Sequence, residues 1–134
     1  MIHQYHLGDY NIVLDVCSGG LHVVDGLTFD IIALLDEKIQ KGNETKEAAE
    51  SAFSEEAENE IVEAMESKFE GTEMGKKEEI RECFLQVKKL HEAGKLFTED
   101  TYEPMAGELK ARTSGVVKAL CLHIAHTCNL NCSY

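Results

Sequence analysis

Two short glycine turns within the first 25 residues leave this chain little choice of opening architecture. Gly8-Asp9 separates IHQYHL (residues 2–7) from NIVLDVC (11–17), and Ser18-Gly19-Gly20 separates that stretch from LHVV (21–24). Glycine takes positive φ without steric cost, so turns this short send the chain straight back on itself. The first stretch alternates loosely; the second is β-branched and apolar. Strands joined this tightly pair with their neighbours in antiparallel fashion, which predicts a three-stranded meander.

Asp25-Gly26 ends the sheet. Leu27, Ile31, Leu34, Leu35 and Ile39 then recur at helical spacing. They predict a helix at about 28–40, with Asp25 or Thr28 as N-cap and Gly42-Asn43 as the stop. Residues 42–79 carry 13 acidic and 4 basic residues, most of the chain's imbalance of −12. Ala49, Phe53, Ala57, Ile61, Met65 and Phe69 repeat every four residues there, as in one long amphipathic helix or two shorter ones. Residues 77–93 hold the clearest helical stripe: Ile80, Phe84, Val87 and Leu90. Glu78 and Glu79 open it and Lys88 and Lys89 lie near its end, which suits the helix dipole. Gly94 is a good residue just beyond a helix, and Leu96 and Phe97 are placed to return to the core.

Residues 98–115 contain Pro104 and two glycines and read as a linker. VVKALCLHIA (116–125) regains strand character, yet a lone strand is not a domain. The expected organisation is therefore a compact α+β unit over 1–97, a linker over 98–115 and the start of something larger over 116–134.

The chain has 134 residues, enough for one domain with a real core. Its acidity argues against a nucleic-acid partner, which needs clustered Lys and Arg. No stretch has the ~18 apolar residues of a membrane span. MIHQYHLGDYN lacks the basic and apolar regions of a secretory signal, so the expected compartment is the cytoplasm. The five cysteines then suggest metal or redox chemistry rather than a disulfide framework.

Cys17, Cys83 and Cys121 fit the ordinary role of buried thiols. Cys128 and Cys132 do not, because Asn129, Asn131 and Ser133 make their loop polar. Zinc would have to recruit His126 and His123 as third and fourth ligands, and His123 belongs to the strand and points away from the loop. An iron–sulfur cluster, which takes thiolates from a loop, is the third option.

The apolar strand followed by CNLNCSY resembles the radical S-adenosylmethionine enzymes, whose signature is CxxxCx(aromatic)C after the first strand of a partial β/α barrel. Cys128 and Cys132 match its first two cysteines and Tyr134 its aromatic position beside the cofactor. The third cysteine would come directly after Tyr134, so the chain is expected to be the leading part of a longer enzyme. Over a longer span, VVKALCLHIAHTCNLNCSY, MIHQYHLGDYNIVLDVCSGGLHVVD and KKLHEAGKLFTED are similar to the maturases of SCIFF peptides (six cysteines in forty-five residues). Residues 42–75 fall outside that similarity.

The resemblance implies a leading RiPP recognition element, the domain that binds leaders of ribosomally made, modified peptides. Its fold is winged-helix-like, with a three-stranded sheet and three helices. The leader is expected to add as a strand along Leu21, His22, Val23 and Val24, against a wall formed by Arg81, Phe84, Leu85 and Lys88 of the third helix. The acidic surface favours a Lys-rich leader. In the complete enzyme the resemblance implies a [4Fe–4S] cluster and S-adenosylmethionine, with thioether cross-links as the product. This chain, with two signature thiolates, is expected to hold no stable cluster and to be inactive alone. The alternatives are a stand-alone leader-binding module and a small zinc-binding protein.

Overall fold

A computed structural model describes residues 1–42, 46–72, 75–102 and 105–113. The chain divides into two units, Met1–Asp100 and Thr101–Tyr134. The first is α+β with an open three-stranded antiparallel sheet. Strands β1 (Ile2–Leu7), β2 (Tyr10–Asp15) and β3 (Gly20–Val24) lie in the order β1-β2-β3. Gly8 and Gly19 take φ of 58° and 70° in the two turns, the left-handed conformation that glycine adopts freely.

Helix α1 (Gly26–Lys41) starts two residues before the predicted position, because Asp25 rather than Thr28 caps it. The Asp25 carboxylate accepts the Thr28 N–H at 2.7 Å and the Thr28 hydroxyl at 3.1 Å. The acidic stretch forms two helices, α2 (Lys46–Ala52) and α3 (Glu55–Lys68). Ser54 sets the break: its hydroxyl accepts the Ala57 N–H at 3.2 Å and caps α3. Glu55, Glu56 and Glu58 in the first turn then favour that helix start. The first unit thus holds four described helices, where the resemblance implied three.

Helix α4 (Lys77–Glu92) ends in a Schellman motif. Gly94, at φ 66°, donates to the His91 carbonyl and Lys95 to the Leu90 carbonyl, both at 2.9 Å. This reversal returns Leu96 and Phe97 to the core, where both are buried.

The core lies between one face of the sheet and the helices. Ile2 and Val13 meet Leu27, Ile31 and Leu35 of α1, Ile61 and Met65 of α3, and Ile80, Phe84 and Val87 of α4. Phe53, between α2 and α3, stacks on His91 at 4.6 Å, lies tilted against Phe84 at 5.9 Å and meets Phe97 edge-wise at 6.0 Å.

In the second unit, α5 (Ala106–Thr113) forms within the stretch whose composition predicts a linker. The strand expected at 116–125 lies outside the described residues.

Candidate functional site

The outer edge of β3 is built by register. β2 pairs with β3 through Asn11↔Val24, Ile12↔Val23, Val13↔His22, Leu14↔Leu21 and Asp15↔Gly20. Among the described residues no strand pairs with the other side of β3. Which of its backbone groups point outward follows from the alternation of an antiparallel ladder. The Val16 N–H donates to the Met1 carbonyl at 3.1 Å, which extends the β1–β2 register by one pair. Alternation from that pair makes Leu14 and Ile12 bond toward β1. Asn11, Val13 and Asp15 are then the residues of β2 that bond toward β3. Their partners Val24, His22 and Gly20 face inward, so Leu21 and Val23 hold their N–H and C=O groups outward. The Asn11 side chain donating to the Val24 carbonyl at 3.3 Å agrees with that assignment.

The same parity sorts the side chains. His22 and Val24 share the helix-facing side of the sheet with Val13, and both are half-buried. The His22 Nε2 lies 3.0 Å from the Lys95 carbonyl. Gly20 lies under the same carbonyl: a Cβ there would come within 2.7 Å of it. The chain leaving α4 therefore passes the beginning of β3. At the other end of the strand, Cys83 of α4 lies against the Thr28 side chain, close to Asp25. Burial pushes the Cys83 thiol up from its ordinary value.

The four residues of the expected wall are spread between the core and one flank of α4. Phe84 is fully buried, at 0% exposure, and offers no surface to a ligand. Arg81 donates to Asn59 of α3 at 3.0 Å, and Lys88 donates to the Phe53 carbonyl after α2 at 3.2 Å. Leu85, exposed, falls on that same flank by helical spacing. On the opposite flank Cys83 contacts Thr28, and Leu90 packs against the core. Helical periodicity locates a buried stripe, and Cys83 beside it is a half-buried thiol as expected, but periodicity does not say which flank meets which neighbour.

One buried carboxylate holds this end of the unit together. Asp15 closes β2 at 0% exposure. It accepts the Cys17 N–H at 3.1 Å, the Thr98 N–H at 3.0 Å and the Thr98 hydroxyl. Burial raises its pKa, but the bonds from Thr98, Cys17 and Ser18 outweigh that, and the carboxyl lies below its usual value of 3.8. Phe97, just before Thr98, takes φ 53°. That conformation is rare for a bulky residue; here it accompanies a ring buried in the core and a following N–H on Asp15.

A cleft of about 370 Å³ lies elsewhere, between the end of α1 and helices α2 and α3. Its Lys38 and Lys41 are paired with Glu60 and Glu37. Cys128, Cys132 and Tyr134 lie outside the described residues. No described helix is long and apolar enough to cross a membrane. No family model and no curated protein matches the chain.

Proposed function

We propose that the first unit is a peptide-recognition domain of the winged-helix-like RiPP recognition type, which takes up a precursor-peptide leader as an added strand on β3. The observation that carries this reading is the β3 edge, unpaired among the described residues, with the outward N–H and C=O groups of Leu21 and Val23. Such groups are satisfied by β-augmentation. The acidic chain, at −12, favours a Lys-rich leader that associates faster at low salt.

The wider context is the leading part of a cytoplasmic radical S-adenosylmethionine maturase that forms thioethers in a cysteine-rich peptide. It is supported by the resemblance carried by residues 116–134. Cys128 and Cys132 would supply cluster thiolates and Tyr134 would lie beside the cofactor. A cluster held there would supply the electron for reductive cleavage of S-adenosylmethionine. A second reading, a stand-alone binding module, is favoured by one observation: residues 1–100 form a compact unit with its own core.

The test is a fluorescence titration of a labelled, Lys-rich leader peptide against wild type, Val23→Ala and Val23→Pro. Proline at 23 removes an outward donor while leaving the β2 ladder intact, the one strand setting in which proline is tolerated. Binding weakens about tenfold or more with Val23→Pro, and less with Val23→Ala, which keeps the N–H. Equal binding by a folded Val23→Pro variant overturns the edge reading.

A further inference from the structure

The solvent face of the sheet has its own apolar rows, which end at the same edge. Register places Tyr5, Ile12 and Val23 side by side in one row, and His3, Leu14 and Leu21 in the next. Ile12, at the centre of this face, is 6% exposed. At β3 the rows stop, with no further strand among the described residues: Leu21 is 58% exposed and Val23 60%. No Asp, Glu, Lys or Arg belongs to either row.

We propose that the partner strand is selected by two apolar side chains spaced i and i+2, which lie on this solvent face and extend the two rows by one residue each. The proposal rests on the edge reading and adds the partner's sequence pattern to it. Its reason is parity. Leu21 and Val23 are both the residues whose backbone groups point outward and the residues whose side chains line the solvent face. In an antiparallel partner the residues that bond to them therefore bring their own side chains onto that face, about 4.5–5.5 Å from Leu21 and Val23. β-Branched or aromatic residues there bury the exposed flanks of both rows. The intervening partner residue falls on the side of half-buried His22 and Val24, where a polar or basic side chain keeps its head in water. The recognised segment is thus an alternating strand, apolar toward the solvent face of the sheet and polar toward the helices, rather than one read by a pocket on α4.

The experiment uses two labelled ten-residue peptides that alternate with lysine, one carrying Val and the other Thr at every second position. Threonine keeps the branched shape and strand propensity of valine and replaces one methyl by a hydroxyl. Wild type binds the Val peptide roughly three- to tenfold tighter than the Thr peptide. In the double variant Leu21→Thr/Val23→Thr that preference falls to about twofold or less, while circular dichroism confirms an unchanged fold. A preference that survives intact in the double variant places the valines on the helix-facing side. That outcome overturns this proposal and leaves the edge reading standing. Failure of both peptides to bind wild type, or binding by Val23→Pro equal to wild type, overturns the edge reading and this proposal with it.

Discussion

Replacing Asp15 with alanine removes the acceptor on which the start and end of the first unit converge. The carboxylate is fully buried and links the turn after β2 to Thr98, 83 residues away. Alanine leaves the Cys17 and Thr98 N–H groups and the Thr98 hydroxyl facing a small cavity. Each stranded buried donor costs about 1–3 kcal/mol, and the hydroxyl escapes part of that by rotating. The sum is about 3–5 kcal/mol, a large fraction of the ~5–15 kcal/mol that holds a domain together. At roughly 4–8 °C per kcal/mol, the midpoint of thermal unfolding drops by at least about 12 °C. Asp15→Asn keeps one acceptor oxygen and loses less, about 2 kcal/mol. The assay is urea unfolding followed by circular dichroism, with amide exchange at Thr98 as the local readout. The pH dependence has a definite sign. The native pKa lies below the usual 3.8, so Asp15 stabilises the fold above that value and ceases to do so as pH falls through the native pKa. The deficit of Asp15→Asn relative to wild type is therefore complete at neutral pH and narrows below about pH 4. An Asp15→Ala variant within about 1 kcal/mol of wild type at pH 7, or an Asp15→Asn deficit that widens on acidification, would refute this account.

Proline scanning of β3 reads the ladder parity directly. His22→Pro removes an inward bond and destabilises by about 1–3 kcal/mol, whereas Val23→Pro unfolds near the wild-type midpoint; equal losses in urea titrations would contradict the assigned parity. Gly20→Ala places its Cβ 2.7 Å from the Lys95 carbonyl and lowers stability by about 1–3 kcal/mol. Gly26→Ala, in open space at the first turn of α1, raises it by about 0.4–1 kcal/mol, and a reversed order by differential scanning calorimetry would show that the close approach is absent. Asp25→Ala removes the cap of α1 and costs about 0.5–2 kcal/mol, measurable as a shift in the urea midpoint.

What the sequence by itself determined is what depends on neighbours along the chain. Gly8 and Gly19 permit positive φ, so the meander followed from turn chemistry. Asp25 caps α1 through the residue three positions on, and Gly94 closes α4 through bonds to Leu90 and His91. Ser54 with Glu55 and Glu56 was a readable helix start as well, and reading it would have divided the acidic stretch into α2 and α3. The helix over 106–113 was hidden by two glycines that flank and enter it. Only the tertiary structure decided the features of the candidate site. Five carboxylates fall within the first 36 residues, yet Asp15 alone is buried, because Thr98 arrives from the far end of the unit to hydrogen-bond it. Helical spacing put Arg81, Phe84, Leu85 and Lys88 on α4 without saying which neighbour each would meet. Packing buried Phe84 and turned Arg81 and Lys88 toward α3 and the end of α2, and Cys83 toward Thr28. The outward backbone groups of Leu21 and Val23 likewise depend on the parity of pairing with β2. A slip of one residue reverses that parity, and local propensity is the same in either register; burial of Ile2 and Val13 against α1 selects the one observed.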